Sequence, residues 1–302
     1  MDRPAIYSDA PAKGWRTWSF LVPIIGLLLI VVSTILPDFA LENLGLTDAR
    51  GNPIGLAGFM AVLLGPFAAL LATILAWVLL VERRPLSTIG LSGAGVGRFL
   101  GGHVTGLIMV CATVAAIWAA GGFAVGDYAP AFRSPEALGA AALLLAGFAF
   151  QASVEEIVFR GWMLSALMRR FGPILSILLT SLVFTLLHFN LRQPLLASLL
   201  PIPFSIFACC WSLRARNVWG VMGWHAGWNW LLAVGFGVQV TGLDAHLPAL
   251  IVQLTPKGSE YLTGGSDGPE GSAACIIVLA AGTLLVLLWP KRSRVATPPG
   301  AS

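Results

Sequence analysis

Residues 154–162 read Val-Glu-Glu-Ile-Val-Phe-Arg-Gly-Trp and place two carboxylates and an arginine inside a long hydrophobic run. Two further polar motifs follow, Phe-Thr-Leu-Leu-His-Phe-Asn at 184–190 and His-Ala-Gly-Trp-Asn-Trp at 225–230. The polar residues of each motif have helical spacing. Charged groups inside a membrane helix are costly unless they face a cavity and find partners, so these motifs mark a functional site.

The composition is that of an integral membrane protein, since 57% of the 302 residues are hydrophobic and 11% are charged. The net charge of +4 fits contact with lipid headgroups. No cluster of Lys and Arg with interleaved aromatic residues indicates nucleic acid. We therefore expect membrane lipid as a partner and no nucleic-acid partner. The four cysteines lack metal-ligand spacing and indicate no chemistry.

Hydrophobic runs predict an all-α fold, a polytopic membrane helix bundle with about eight transmembrane helices. We expect a cytoplasmic N-terminal lead at 1–17, helices one to three within 18–136, and helices four to seven, which carry the polar motifs, within 137–240. An outer loop, helix eight and a basic tail fill 241–302. The first run is too extended for a signal peptide and predicts an uncleaved helix. The runs cover residues 18–36, 55–81, 99–120, 137–168, 173–191, 194–211, 218–240 and 273–289.

Loop charges predict the orientation of the bundle. With eight spans, both chain ends and the loops after helices two, four and six share one side, which holds most of the Lys and Arg residues. Positive charge marks the cytoplasmic side, so we expect both termini there. The residues on that side are Arg3, Lys13, Arg16, Arg83, Arg84, Arg98, Arg169, Arg170, Arg214, Arg216, Lys291, Arg292 and Arg294.

Glycines four residues apart predict close contacts between helices. Small residues at this spacing let two helix backbones approach each other. The pairs are Gly97 with Gly101, Gly102 with Gly106, and Gly223 with Gly227.

A tight turn near residues 171–173 predicts which residues of helices four and five meet. The two helices must run antiparallel, so residues equally far from the turn lie at the same depth. Glu155 and His188 are each roughly sixteen residues from it, which at about 1.5 Å per residue brings them level. We expect these two side chains to lie within reach of each other, with His225 alongside.

The helical periodicity places Glu155 and Glu156 on different faces of helix four. Glu156 and Arg160 are four residues apart and predict an ion pair along the helix. That pairing leaves Glu155 as the uncommitted carboxylate. His225 and Asn229 share one stripe of helix seven, so a carboxylate, two histidines and a carboxamide are expected to converge. A buried polar lock between helices is the alternative interpretation of this cluster.

The order Glu-Glu-x-x-x-Arg, Phe-x-x-x-His and His-x-x-x-Asn resembles the three-motif signature of the CAAX protease and bacteriocin-processing (CPBP) intramembrane protease family, including chains like CAAX prenyl protease 2. The resemblance covers residues 155–229. Stretches 82–91 and 264–272 are similar, more weakly, to segments of bacterial members. The resemblance implies a peptidase buried in the bilayer, active or lapsed, that cleaves near a membrane surface.

Amide hydrolysis within lipid needs a held water, a base and a donor for the oxyanion, and the same residues are consistent with that chemistry. Glu155 is the expected general base. His188 would hold the water or protonate the leaving amine, and His225 with Asn229 would polarise the carbonyl. Glu156 and Arg160 would support these groups.

A metal site is an open alternative, since Glu155, His188 and His225 match a zinc ligand set with an open fourth position. No His-Glu-x-x-His motif is present. The sequence therefore predicts either no cofactor or a divalent metal such as zinc, with the metal-free mechanism slightly favoured.

Two other function classes compete with an endopeptidase acting on a membrane-associated protein or peptide. One is a non-hydrolytic immunity or scaffold protein, and the other is a proton-coupled transporter. Transport predicts repeated halves or paired broken helices. No repeat is found, although Pro201 and Pro203 are expected to interrupt helix six.

Overall fold

The computed structural model describes residues 5–8, 10–93, 95–189 and 198–289. Four expectations fall at least partly outside these ranges. They concern the N-terminal lead at 1–17, the end of the fifth hydrophobic run at 191, the start of the sixth run at 194, and the basic tail from residue 291 onward.

Eight α-helices of twelve residues or more lie in the described part of the chain. Three π-helical segments extend α2 at Trp77–Val81, join α4 to α5 at Ile157–Met163, and extend α7 at Leu231–Gly235. The helices are α1 (Val22–Asn43), α2 (Gly55–Ala76), α3 (Val96–Ala119), α4 (Pro135–Glu156), α5 (Leu164–His188), α6 (Pro201–Ala215), α7 (Trp219–Trp230) and α8 (Ala273–Leu288).

Four segments of the described chain are long and apolar enough to cross a membrane: Val22–Asn43, Gly55–Val81, Val96–Ala119 and Pro135–His188. The last has 54 residues and is broken at Gly172, whose φ of 73° and ψ of −177° are not helical. Phe184 beyond the break packs edge-to-face on Phe159 before it, with ring centroids 5.0 Å apart. The chain therefore folds back at Gly172, as predicted, and the membrane helix bundle is confirmed.

Two predicted helix limits are wrong, and one predicted interruption is present. Helix α1 continues beyond residue 36 to Asn43, because neither Pro37 nor Asp38 ends it. Residues 198–199 are helical, a turn at Leu200 follows, and α6 begins at Pro201, since proline fits the first helical position, where no N–H is needed. The run is therefore interrupted before Pro201, while Pro203 lies inside α6. The seventh helix ends at Gly235, five residues before the predicted limit, and Gly237 then takes a positive φ of 60°.

A small antiparallel sheet lies outside the helices and was not predicted. It consists of β1 (Phe123–Tyr128), which follows α3, and β2 (Val252–Pro256), which precedes α8. Phe123 pairs with Pro256 and Val125 with Leu254. Strands this short carry too few residues for a clear alternating pattern, so no periodicity predicted them.

Helices α3 and α7 pack with their backbones in close contact, which fixes the position of the His225 face. A β-carbon on Gly102 would lie 1.9 Å from the carbonyl oxygen of Gly220, and one on Gly223 would lie 1.8 Å from that of Phe99. The predicted glycine contacts are present on both helices. Gly97 and Gly101 are different, since a β-carbon on either would meet nothing within 4 Å, so their predicted role in packing is wrong.

The N-terminal lead packs along the end of the bundle that contains the 82–91 stretch. The amides of Lys13 and Gly14 donate to the carbonyls of Arg83 and Glu82. Glu82 is fully buried and accepts from Arg84 Nε at 2.6 Å and from the Thr17 amide at 3.3 Å. This stretch therefore joins the lead to the end of α2 through a buried ion pair.

Candidate functional site

Glu156 lies at the centre of a buried polar network between α4 and α7. Its Oε1 accepts from Arg160 Nη1 at 3.1 Å, and both side chains are fully buried. This is the ion pair that the four-residue spacing predicts. The same oxygen lies 2.9 Å from His225 Nδ1, a contact that the sequence did not predict. Glu156 thus links the first polar motif to the third.

Arg160 lies on the π-helical segment that follows α4. Its guanidinium sits over the Phe184 ring, 4.6 Å from the centroid, which adds a cation–π contact from the second motif. The hydroxyl of Tyr7 donates to the Arg160 carbonyl at 2.6 Å, and burial raises the pKa of that tyrosine. π-Helical turns are frequent at functional sites, because they place side chains where a regular helix does not.

Glu155 accepts a hydrogen bond from Gln151, which in turn accepts one from Asn229. Gln151 Nε2 donates to Glu155 Oε1 at 2.8 Å, and Gln151 Oε1 accepts from Asn229 Nδ2 at 3.2 Å. A carboxylate accepts only, so it fixes which end of the Gln151 amide faces it and, through Gln151, the orientation of Asn229. The predicted convergence of Asn229 on Glu155 therefore occurs through an intervening residue.

His225 presents a different carboxylate to each ring nitrogen. Nδ1 faces Glu156 at 2.9 Å, and Nε2 lies 3.9 Å from Glu155 Oε2, which is too long for a direct hydrogen bond. The Phe204 ring contacts the imidazole edge-to-face at 4.9 Å between centroids. The ring is thus held in one orientation, with Nε2 directed toward Glu155.

His188 is the last residue of α5, sixteen residues after the break at Gly172. Its Nδ1 is 2.8 Å from the Phe184 carbonyl oxygen, and its ring stacks on Phe184 at 4.3 Å between centroids. Among the contacts of the described residues, no hydrogen bond or ion pair joins His188 to Glu155. His225 is the histidine that approaches Glu155 most directly.

A cavity of about 60 Å³ brings His188 and His225 to one space. It lies between the end of α5, the start of α6 and the start of α8. Glu155 and Asn229 do not line it, so His225 is the residue that connects the cavity to the network around Glu155. The lining residues are Phe184, His188, Leu200, Pro201, Phe204, His225, Thr241, Asp267, Glu270, Gly271, Cys275 and Leu279.

The described residues contain no group of three or more His, Cys, Asp or Glu side chains arranged to hold a metal ion. The predicted ligand set, Glu155, His188 and His225, is not among such groups. Each histidine bonds its partner through Nδ1, His188 to a backbone carbonyl and His225 to Glu156, so Nε2 is the nitrogen that each directs elsewhere. A metalloprotease assignment therefore has no support in this geometry.

Sequence reasoning missed two acidic or amide residues at the site. Gln151 lies four residues before Glu155, a helical spacing that could have revealed it. Glu270 lies in the 264–272 stretch, and the weak similarity of that stretch to bacterial family members is the signal that could have revealed it. Its carboxylate lines the cavity together with both histidines.

The fold and the site together define an integral membrane protein with a buried polar site at a small cavity between helices. Residues 137–231 match the family model described as "Type II CAAX prenyl endopeptidase Rce1-like". This match confirms the resemblance to the CPBP/CAAX protease family, over a segment that contains all six predicted site residues. Comparisons with curated proteins and with solved structures gave no match.

Proposed function

We propose that the chain is an intramembrane endopeptidase that hydrolyses a peptide bond of a membrane-associated protein or peptide. The observation that carries this proposal is the separation of 3.9 Å between Glu155 Oε2 and His225 Nε2 within the buried network. The fold supports the same class, because the family match covers the helices that hold both residues.

The protonation of His225 follows from its partner. A carboxylate cannot donate when ionised, so the ring nitrogen facing Glu156 carries the hydrogen, and Nε2 of the neutral ring is an acceptor. Two acceptors then face each other across the gap. One water molecule donates a hydrogen to each of them, which leaves its oxygen lone pair free to attack a carbonyl carbon.

Glu155 acts as the general base in this mechanism. It removes the proton of the water as the oxygen bonds to the carbonyl carbon, and the tetrahedral intermediate carries the negative charge. His225 then holds the attacking oxygen in place, and Glu156 with Arg160 keeps the imidazole oriented. Gln151 holds the Glu155 carboxylate, and Asn229 holds the Gln151 amide.

His188 completes the reaction at the other side of the cavity. The Phe184 carbonyl only accepts, so His188 Nδ1 carries a hydrogen and Nε2 is the nitrogen left to exchange a proton. In its protonated form His188 donates that proton to the leaving amine as the C–N bond breaks. Glu155 then releases the proton taken from the water, and His188 takes up a proton through the water of the cavity, which restores both residues. The carbonyl-polarising role expected of His225 with Asn229 stays a prediction.

The cavity meets the pair of Glu155 and His225 at the imidazole of His225, and we infer the direction of substrate entry from its size. A volume of about 60 Å³ holds a few water molecules but no peptide, so the scissile bond has to approach from the rim formed by α5, α6 and α8. The matched family is named for prenylated CAAX ends. For this chain we propose the wider class of membrane-associated peptides, with a prenylated C-terminal peptide as the first substrate to test.

The test uses the full chain, purified in detergent and reconstituted into liposomes, with prenylated and unprenylated versions of one fluorogenic peptide. Mass spectrometry of the products locates the cleaved bond. We expect the wild-type protein to cleave at one bond and Glu155→Gln to lose the activity. Absence of cleavage by the wild type, or full cleavage by Glu155→Gln, would overturn the proposal.

A further inference from the structure

The 264–272 stretch forms a compact set of turns immediately before α8. A helical turn at Glu260–Thr263 is followed by 3₁₀ turns at Gly265–Asp267 and Pro269–Gly271. Gly268 has a φ of 79°, and a β-carbon there would lie 2.1 Å from the Gln239 carbonyl oxygen. Only glycine fits this contact, so the turn is held against the loop that follows α7, and the position of Glu270 is fixed.

The Glu270 carboxylate accepts three hydrogen bonds from two other parts of the chain. Its Oε1 accepts from Trp228 Nε1 at 2.9 Å. Its Oε2 accepts from the Thr241 amide at 2.7 Å and from Thr241 Oγ1 at 3.0 Å. Burial raises the pKa of this carboxyl, and the bonds from Thr241 lower it. The carboxylate therefore joins α7, the loop after it and the turn before α8.

Trp228 connects the hydrogen bonds of Glu270 to the proposed reacting groups. It is fully buried and lies on α7 between His225 and Asn229 in the chain. Its ring contacts Phe204, which also packs against the His225 imidazole. Holding the indole thus holds the part of α7 from which His225 reaches Glu155.

We propose that Glu270 is a positioning residue of the endopeptidase, which fixes Trp228 and Thr241 and so keeps His225, a residue of the cavity wall, aligned with Glu155. This inference rests on the proposed function. A carboxylate is required, because both of its oxygens face N–H donors. A glutamine that keeps its oxygen toward Trp228 turns its NH₂ group toward the Thr241 amide, where two donors oppose each other.

The experiment compares Glu270→Gln with Glu260→Gln, a control on an exposed acid of the same outer segment. Hydrogen-exchange mass spectrometry follows the peptide containing the Thr241 amide, and steady-state kinetics separate kcat from KM. For Glu270→Gln we expect several-fold faster exchange at Thr241 and a kcat lower by about 10- to 100-fold with KM little changed, as for a misplaced catalytic group. The control should match the wild type in every measurement.

A double-mutant cycle with Trp228→Phe separates positioning from general destabilisation. If Glu270 acts through the indole, the double variant loses no more kcat than the worse single variant. Additive losses would overturn the inference, as would unchanged Thr241 exchange or an unchanged kcat in Glu270→Gln. A wild-type chain that cleaves while Glu270→Gln keeps its rate leaves the proposed function standing. A wild-type chain that cleaves nothing overturns both.

Discussion

Glu156 Oε1 lies 2.9 Å from His225 Nδ1 and 3.1 Å from Arg160 Nη1, so one buried oxygen orients the imidazole and neutralises the arginine. The adjacent Glu155 carboxylate faces the other nitrogen of the same ring. The two neighbouring glutamates therefore contact opposite nitrogens of one imidazole. We expect mutations at Glu155 to affect the reaction and mutations at Glu156 to affect stability as well.

Glu155→Gln should keep the fold and lose the reaction. The amide preserves the shape of the side chain but cannot accept a proton from water, and loss of a general base typically costs about 10²- to 10⁴-fold in rate. The melting temperature in detergent should stay close to that of the wild type. A Glu155→Gln protein that cleaves at the wild-type rate would remove Glu155 from the mechanism.

Glu156→Ala should lose stability as well as activity. It strands Arg160 as a buried cation without its carboxylate, a change that typically costs about 3–5 kcal/mol. Thermal unfolding monitored by circular dichroism measures the loss. A Glu156→Ala protein with wild-type stability and rate would contradict this assignment.

The double variant Glu156→Ala, Arg160→Ala should recover stability but not activity. Removing the arginine removes the stranded charge, yet His225 still lacks the acceptor that sets its orientation. Melting temperature and cleavage rate, measured side by side on both variants, separate these effects. Recovery of the rate in the double variant would show that Glu156 serves only to pair with Arg160.

Chelation should leave the activity unchanged, since Glu155, His188 and His225 do not form a ligand set in this geometry. The measurement pairs cleavage before and after dialysis against EDTA with the metal content of the purified protein. Stoichiometric zinc together with chelator-sensitive cleavage would support the metal alternative instead.

Reporter fusions at the two termini should both be active on the cytoplasmic side. This expectation rests on the asymmetry of Lys and Arg among the loops. The test uses two reporters, one active only in the cytoplasm and one active only outside it, and fuses each reporter to each terminus in a separate protein. Activity of either terminal fusion on the outer side alone would reverse the predicted orientation.

Much of the architecture was predictable because it depends on local pattern. Hydrophobic runs located the helices, the Phe171-Gly172-Pro173 turn located the reversal, and the four-residue spacing located the pair of Glu156 and Arg160. The predicted limits failed where hydrophobicity and hydrogen bonding diverge, as at Asp38.

The finer site geometry depends on contacts between distant segments, which no local pattern encodes. Gln151 was within helical reach of Glu155, but only the position of α7 shows that it also binds Asn229. The link between Glu156 and His225 spans 69 residues of sequence. The π-helical turn at Ile157–Met163 likewise depends on the packing around it, and its residues carry no distinguishing periodicity.

The reversal at Gly172 makes the number of residues between the first two motifs a geometric constraint. One residue inserted between Glu155 and Gly172, or between Gly172 and His188, would shift one side chain by about 1.5 Å along its helix and turn it by about 100°. The helical hairpin thus determines the relative depth of Glu155 and His188. Chains that share this site should differ in length elsewhere, and should keep the spacing from Glu155 to His188 unchanged.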